Sequence, residues 1–405
     1  MKLPAKIIKR EKYFDSIIPF IDKQLIKVIT GQRRVGKSYL LFQIIEHLRK
    51  SKDNPFIIYI NMEDLAFSFL KNAEDLHQYV LDQWGEKGKC YLFIDEVQDV
   101  ENFQSALRSL LLFEELDIYC TGSNANLLSG DIAGVLSGRY IELTVYSLSF
   151  NEFLEFHQLK NDDDSLEKYM KFGGLPYLRH LPLEEEIAFE YLENIYSTIV
   201  YRDIVNRYNI RNTNFLERLV RFLASNTASL FSAKKISDFL KSEQITVSPN
   251  QVRQYLTHLT NAFILSQAER YDIKGKRLFE IGEKYYFENL GIRNAIWGYR
   301  LEDRGKIMEN LVYNHLLYLD YEVKVGVLGD LEIDFVARKK GEIVYVQVAL
   351  QLLSEKTINR ELGNLLARPD NHPKMVVTLD NFSGSSVNGV KVVRLREFLS
   401  LQSLD

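Results

Sequence analysis

Short apolar runs recur through the first third of the chain: LIKVIT at 25–30, FIIYIN at 56–61, CYLFID at 90–95, DIYCT at 117–121 and YIELTV at 140–145. Most are nearly continuous rather than alternating, the pattern of a strand covered on both faces. Between them lie longer stretches, 37–50, 74–84 and 101–113, with helix-like patterning. Strand and helix in alternation predict an α/β unit, a parallel sheet with helices on both faces. From about 150 the alternation stops. Residues 150–205 predict helices interrupted by NDDDS at 161–165 and GGLP at 173–176. Three helical patterns and two strand-like pieces follow over 214–300, and the helix KIMENLVYNHLLYL then leads into a strand-rich tail. Four domains are predicted, at 1–150, 151–205, 206–300 and 301–405.

Composition narrows the class. A length of 405 residues exceeds one ordinary core, and 46% hydrophobic with 26% charged residues is a globular profile. The net charge of −4 argues against coating nucleic acid by bulk charge and leaves a local basic patch open. Cys90 and Cys120 both lie in apolar runs, so neither a disulfide framework nor a zinc site is predicted. The start MKLPAKIIKREKYFD has no signal-like apolar core, and no apolar run reaches about 18 residues. A cytoplasmic protein without a membrane partner is the expectation.

Chemistry enters with 31-GQRRVGKS-38, which fits GxxxxGK[ST] in full: Gly31, Gln32, Arg33, Arg34, Val35, Gly36, Lys37, Ser38. Glycines allow a tight turn whose N–H groups face phosphate oxygens, and the following helix adds its positive end. Lys37 is predicted to reach the β- and γ-phosphates and Ser38 to ligate Mg²⁺, with Tyr39 next to them in the nucleotide site. An apolar strand before the loop and an amphipathic helix after it are the setting this motif requires. In 91-YLFIDEVQDV-100 two carboxylates end a buried strand. Asp95 is assigned to Mg²⁺ and Glu96 to polarising the attacking water. In 118-IYCTGSNANLL-128 a strand ends in small polar residues, of which Ser123 or Asn124 is the candidate γ-phosphate sensor. A Ser/Asn turn with only structural hydrogen bonds is the alternative. Arg139 precedes the fifth strand, where it could stabilise charge on a neighbouring subunit's nucleotide or be a solvated charge.

Taken together, these motifs resemble the AAA+ ATPases. They are similar to a bacterial and archaeal group in which the ATPase is fused to a winged helix and a restriction-endonuclease-like tail. The resemblance is carried by GQRRVGKS, FIDEVQ, TGSNANLL, SGRY…SLSFNEF, 173-GGLPYL-178, 200-VYRDIVNRYNI-210 and 284-KYYFENLGIRNAIWG-298, nearly the whole chain. It implies a five-stranded core with a small helical lid, ATP and Mg²⁺ as ligands, and a homo-oligomer, often a ring, with nucleotide between subunits. Arg179, after GGLPYL, becomes the lid arginine, off the usual Gly-x-Arg spacing.

Downstream, FLERLVRFLAS, SAKKISDFLKSE and PNQVRQYLTHLTNAF predict three helices. Ser248–Pro249 caps the last, and Val252, Leu256 and Leu259 share one of its faces, leaving Gln251, Arg253, Gln254, Thr257 and His258 largely on others. ILSQAERYD and KRLFEIG, joined by 274-KGKR-277, predict a hairpin wing. If this winged helix binds DNA, Gln251, Arg253 and Gln254 approach the groove and Lys274, Lys276 and Arg277 meet phosphates. A winged helix used for protein contacts is the alternative.

The tail, with Glu309 in a helix and Asp334 and Gln347 in a hairpin, resembles the PD-(D/E)XK nuclease fold. Glu309 and Asp334 are then candidate ligands of a second metal. The family's lysine position is Ala349 and its central acid Gln347, which puts cleavage in doubt, with Lys356 or Arg360 as the candidate spatial substitutes. Three functions follow: an ATP-hydrolysing machine acting on DNA, a nucleotide-dependent protein-assembly switch, and an ATP-powered metal-dependent nuclease.

Overall fold

In the computed structural model, the chain is described at residues 3–85, 87–125, 127, 136, 138–275, 277–278, 282–329, 331–352, 362–367, 370–380 and 386–404. It divides into two compact units, Met1–Tyr146 with Asn261–Phe263, and Ser147–Thr260 with Ile264–Asp405.

The first unit is an α/β layer. Strands β1 (Ile26–Thr30), β2 (Phe56–Asn61), β3 (Cys90–Asp95), β4 (Leu116–Gly122) and β5 (Tyr140–Thr144) form one five-stranded sheet in the order β2-β3-β4-β1-β5. Every pairing is parallel. Residues of β1, β3 and β4 are buried throughout, which is why those segments read as continuous apolar runs. Helices α1 (Glu11–Ile17), α2 (Lys37–Ser51), α3 (Ala73–Trp84) and α4 (Phe103–Leu110) accompany the sheet. Leu76, Val80 and Trp84 of α3 and Phe103, Ala106, Leu107 and Leu110 of α4 join the strands in one apolar core. At the other end of the strands Lys27 and Asp117 form a fully buried ion pair, and Asp117 also accepts from Tyr119 Oη at 2.8 Å.

Strand order is what makes the site. Inserting β4 between β1 and β3 brings the C-terminal ends of three strands side by side, so the segments after Thr30, Asp95 and Thr121 emerge together.

The second unit begins helical: Phe150–His157, Asp163–Phe172 and Glu185–Thr198. The polar NDDDS run opens the second of these helices, with the Asp162 carboxylate accepting from Ser165 N at 2.9 Å. The third runs into a π-helical stretch, Ile199–Asn206. Helices Thr213–Ser225, Ala233–Ser242 and Pro249–Asn261 follow, with a three-stranded antiparallel sheet β6 (Leu230–Phe231), β10 (Glu283–Phe287) and β7 (Leu265–Ala268). After helices Leu290–Trp297 and Arg304–Tyr318 comes an eight-stranded mixed sheet. Its central strands include β11 (Glu322–Leu328), β12 (Leu331–Lys339) and β13 (Glu342–Ala349), paired antiparallel in that order.

The hairpin differs from the sequence expectation. ILSQAERYD breaks at Glu269: β7 lies in the three-stranded sheet, while β8 (Arg270–Asp272) pairs with β9 (Arg277–Leu278) and, in parallel, with β11. The turn therefore closes an edge hairpin of the larger sheet.

Glycine-bearing motifs of this unit have packing roles. A Cβ on Gly174 would meet Leu148 O at 2.4 Å, and one on Gly291 would meet Phe172 O at 2.0 Å. Arg293, fully buried, donates to Ala224 O at 2.8 Å and pairs with Asp303.

Candidate nucleotide-binding site

The phosphate loop needs its glycines for two separate reasons. Gly31 has φ 144°, and a Cβ there would stand 2.1 Å from Val145 O. Gly36 has φ 101° and caps α2 without a side chain. The N-cap thus offers no side chain to the first N–H groups of this 15-residue helix, a setting suited to an anion. Arg34, exposed, also takes a left-handed conformation at φ 71°. Lys37 is buried and donates to Gly31 O at 3.0 Å and Gln32 O at 3.1 Å, while its Nζ lies 3.7 Å from Glu96 Oε1. Gln32 donates to Phe263 O at 2.7 Å, and Val35 is fully buried. Tyr39 remains 49% exposed, edge-on to Phe42.

Asp95 and Glu96 occupy different environments. The Asp95 carboxylate accepts from Thr121 Oγ1 and from Tyr59 Oη at 3.0 Å, and it is hydrogen-bonded to Ser38. Burial nevertheless pushes its pKa above the usual aspartate range. Glu96 sits in a left-handed turn at φ 56°, its N–H donating to Thr121 Oγ1 at 2.9 Å. Burial pulls its pKa upward, but the Lys37 and Arg33 charges, the hydrogen bond from Gln98 and the nearby Ser123 hydroxyl outweigh that and hold it below the ordinary glutamate value. Arg33 is itself buried and paired with Glu63 at 3.0 Å. The result is an ionised carboxylate facing the loop, fit for a general base.

The donor set fits a magnesium nucleotide. Ser38 and Asp95 supply hard oxygen donors already in contact, beside a buried ammonium and a helix start with no side-chain cap. Ser123, 1% exposed, has its hydroxyl beside Glu96, whereas Asn124 is half-buried one residue farther on. Sequence reasoning missed Thr121, Gln98 and Tyr59. Thr121 bridges both acidic residues, and the only signal for it was a polar residue ending an otherwise apolar strand.

Arg139 is exposed at the start of β5, level with Leu25 because Ile26 pairs with Tyr140. Six residues of strand, about 20 Å, separate it from the level of Gly31, too far for one side chain to act on its own loop. Arg179 belongs to the second unit, 5.9 Å over the Phe156 ring.

On helix Pro249–Asn261, Val252, Leu256 and Leu259 are buried, and Gln251, Arg253 and Gln254 are exposed. Gln251 is also committed to the cap, its Oε1 accepting from Ser248 N at 3.1 Å. His258, expected on a polar face, is buried and stacked on Tyr208 at 3.7 Å, because an aromatic distant in sequence covers it. Lys274 is exposed; Lys276 and the side chain of Arg277 lie outside the described residues, as do Lys356 and Arg360.

Glu309 and Asp334 are brought together around an ammonium the sequence reading did not name. Lys284 Nζ lies 2.9 Å from Glu309 Oε1, 2.9 Å from Glu332 Oε1 and 3.7 Å from Asp334 Oδ1. Burial disfavours this ammonium, but the three carboxylates outweigh it and keep its pKa above the usual lysine range. Burial, with the Glu309 charge, pushes Asp334 up to about 8. Among the described residues no group of three or more His, Cys, Asp or Glu could hold a metal ion. Nor is any described helix long and apolar enough to cross a membrane.

Phosphate loop, paired acids and the inserted strand β4 with its Thr121 define a P-loop nucleotide hydrolase. Comparison with known proteins makes the class narrower: residues 23–154 match an AAA domain, and residues 163–303 match a domain of unknown function (DUF8612). An uncharacterized protein of Haemophilus influenzae is 38% identical over 403 residues, 97% of this chain and 98% of its own. The uncharacterized protein MJ1544 of Methanocaldococcus jannaschii is 31% identical over 359 residues, 84% of this chain and 75% of its own. The chain belongs to the family of these two proteins and carries an AAA-type ATPase domain at 23–154. The Walker-type ATPase PABY2304 of Pyrococcus abyssi shares the fold, with TM-score 0.51 and 17% identity, covering 73% of this chain and 97% of that one.

Proposed function

We propose that the protein couples ATP hydrolysis to a grip on DNA. The observation that carries the hydrolysis half is the pairing of Lys37, Asp95 and Glu96 across one strand end, with Thr121 joining the two acids. Lys37 binds the β- and γ-phosphates once they displace its loop carbonyls. Ser38 and Asp95 would hold Mg²⁺, whose role is to neutralise charge on the β,γ-bridge. Glu96 polarises the attacking water, and Ser123 or Asn124 senses the γ-phosphate. Arg139 acts across a subunit boundary in a homo-oligomer, a reading supported by its distance from its own loop. Arg179 serves a helical lid over 151–205.

The DNA half is supported by the exposed Arg253, Gln254 and Lys274 in a winged-helix region, 206–300. Domain 301–405 is read as a nuclease-like fold kept for binding. ATP turnover with and without duplex or branched DNA, at rising salt, tests this. Stimulation that decays steeply with salt is expected, because phosphate contacts release counterions. Turnover indifferent to DNA would favour a nucleotide-dependent assembly switch, a reading consistent with the net charge of −4 and the capped Gln251.

A further inference from the structure

We propose that Lys284 is a tethered cation seated where a divalent metal would otherwise sit, so that the acidic cluster of the second unit is complete without metal. The proposal is independent of the ATPase reading.

Three elements supply the cluster. Lys284 comes from β10, Glu309 from helix Arg304–Tyr318, and Glu332 and Asp334 from β12. The Lys284 side chain is only 5% exposed and meets all three carboxylates. Two of these carboxylates have a further donor. Glu309 Oε1 also accepts from Tyr286 Oη at 2.8 Å, and Asp334 Oδ2 accepts from Val348 N at 2.9 Å. Gln347 Oε1 accepts from Asp334 N at 3.2 Å. An arriving divalent ion would have to displace an ammonium already hydrogen-bonded to two of its ligands, or share their oxygens with a like charge. Either is unfavourable in a buried setting. Ala349 and Gln347 stand where the resembled nuclease family has its lysine and central acid. The chain therefore has a lysine among these acids, supplied by a different strand and occupying the cation's place rather than standing beside it.

The test is Mn²⁺ binding to the full chain without nucleotide, followed by calorimetry and electron paramagnetic resonance. Wild-type protein and Asp334→Asn are expected to bind the same number of Mn²⁺ ions. Lys284→Met is expected to gain one ion per chain, and Lys284→Met/Asp334→Asn to lose it again. A wild-type Mn²⁺ site abolished by Asp334→Asn would overturn the proposal, as would a folded Lys284→Met that gains no ion. Should Lys284→Met not fold, the wild-type and Asp334→Asn pair still decides. An unchanged wild-type melting temperature on adding Mn²⁺ or chelator supports the tethered cation, whereas a rise with Mn²⁺ that Asp334→Asn removes contradicts it.

Discussion

Two adjacent carboxylates in this site have different surroundings. Asp95 is crowded by hydroxyl donors from Thr121, Ser38 and Tyr59, while Glu96 faces Lys37 and is tied to Gln98. Thr121 is the hinge of that separation, since its hydroxyl donates to Asp95 and accepts from the Glu96 N–H. Thr121→Val keeps the shape and removes both bonds. ATP turnover should fall about 10- to 100-fold, the usual cost of losing a group that orients a metal ligand. Nucleotide affinity, read by fluorescent-analogue binding, should change far less. An equal loss in affinity would make Thr121 a structural rather than a positioning residue. The motif residues were legible because a phosphate loop is local in sequence. Thr121 was not, because its role exists only once β4 slots between β1 and β3.

At the scale of elements, the five strands of the first unit were readable because burial on both faces leaves a continuous apolar run. The strand ILSQAERYD was not, since its two halves pair with partners far away in sequence. His258 failed for a related reason: helical periodicity cannot reveal that Tyr208 lies over it. A half-buried histidine yields a pH prediction. His157, at the end of helix Phe150–His157, has its pKa lowered to about 4 by burial and by the Arg179 charge. The unfolded chain takes up this proton near pH 6.5 and the native chain does not. Stability from this group is thus full above pH 6.5 and is lost as pH falls toward 4. After discounting for partial exposure, the loss is about 1–2 kcal/mol. Melting temperatures of wild type and His157→Gln between pH 7 and 4.5 should show a shallower decline for the variant. Parallel curves would assign the acid sensitivity elsewhere.

At the scale of the whole molecule, the proposed homo-oligomer turns on how one subunit's chemistry engages the next. Arg139 stands at the sheet end remote from its own loop, so any action on nucleotide must be in trans. Mixing inactive Arg139→Ala with inactive Glu96→Gln subunits should restore part of the turnover, through interfaces that combine an intact Glu96 with an intact Arg139. Titrating the two in varied ratios, with phosphate release as readout, measures this. A flat zero across all ratios would leave the trans role of Arg139 unsupported. The modules after 150 were legible as helix-rich and then strand-rich, but not what their acids do, because Lys284 lies far in sequence from Glu309 and Asp334.

The ATPase reading rests on Glu96 being the base, and phosphate release by Glu96→Gln beside its bound-nucleotide content measures this most directly. ATP is expected to stay bound while turnover falls at least about 100-fold, as for loss of a general base. Turnover at the wild-type rate would contradict it.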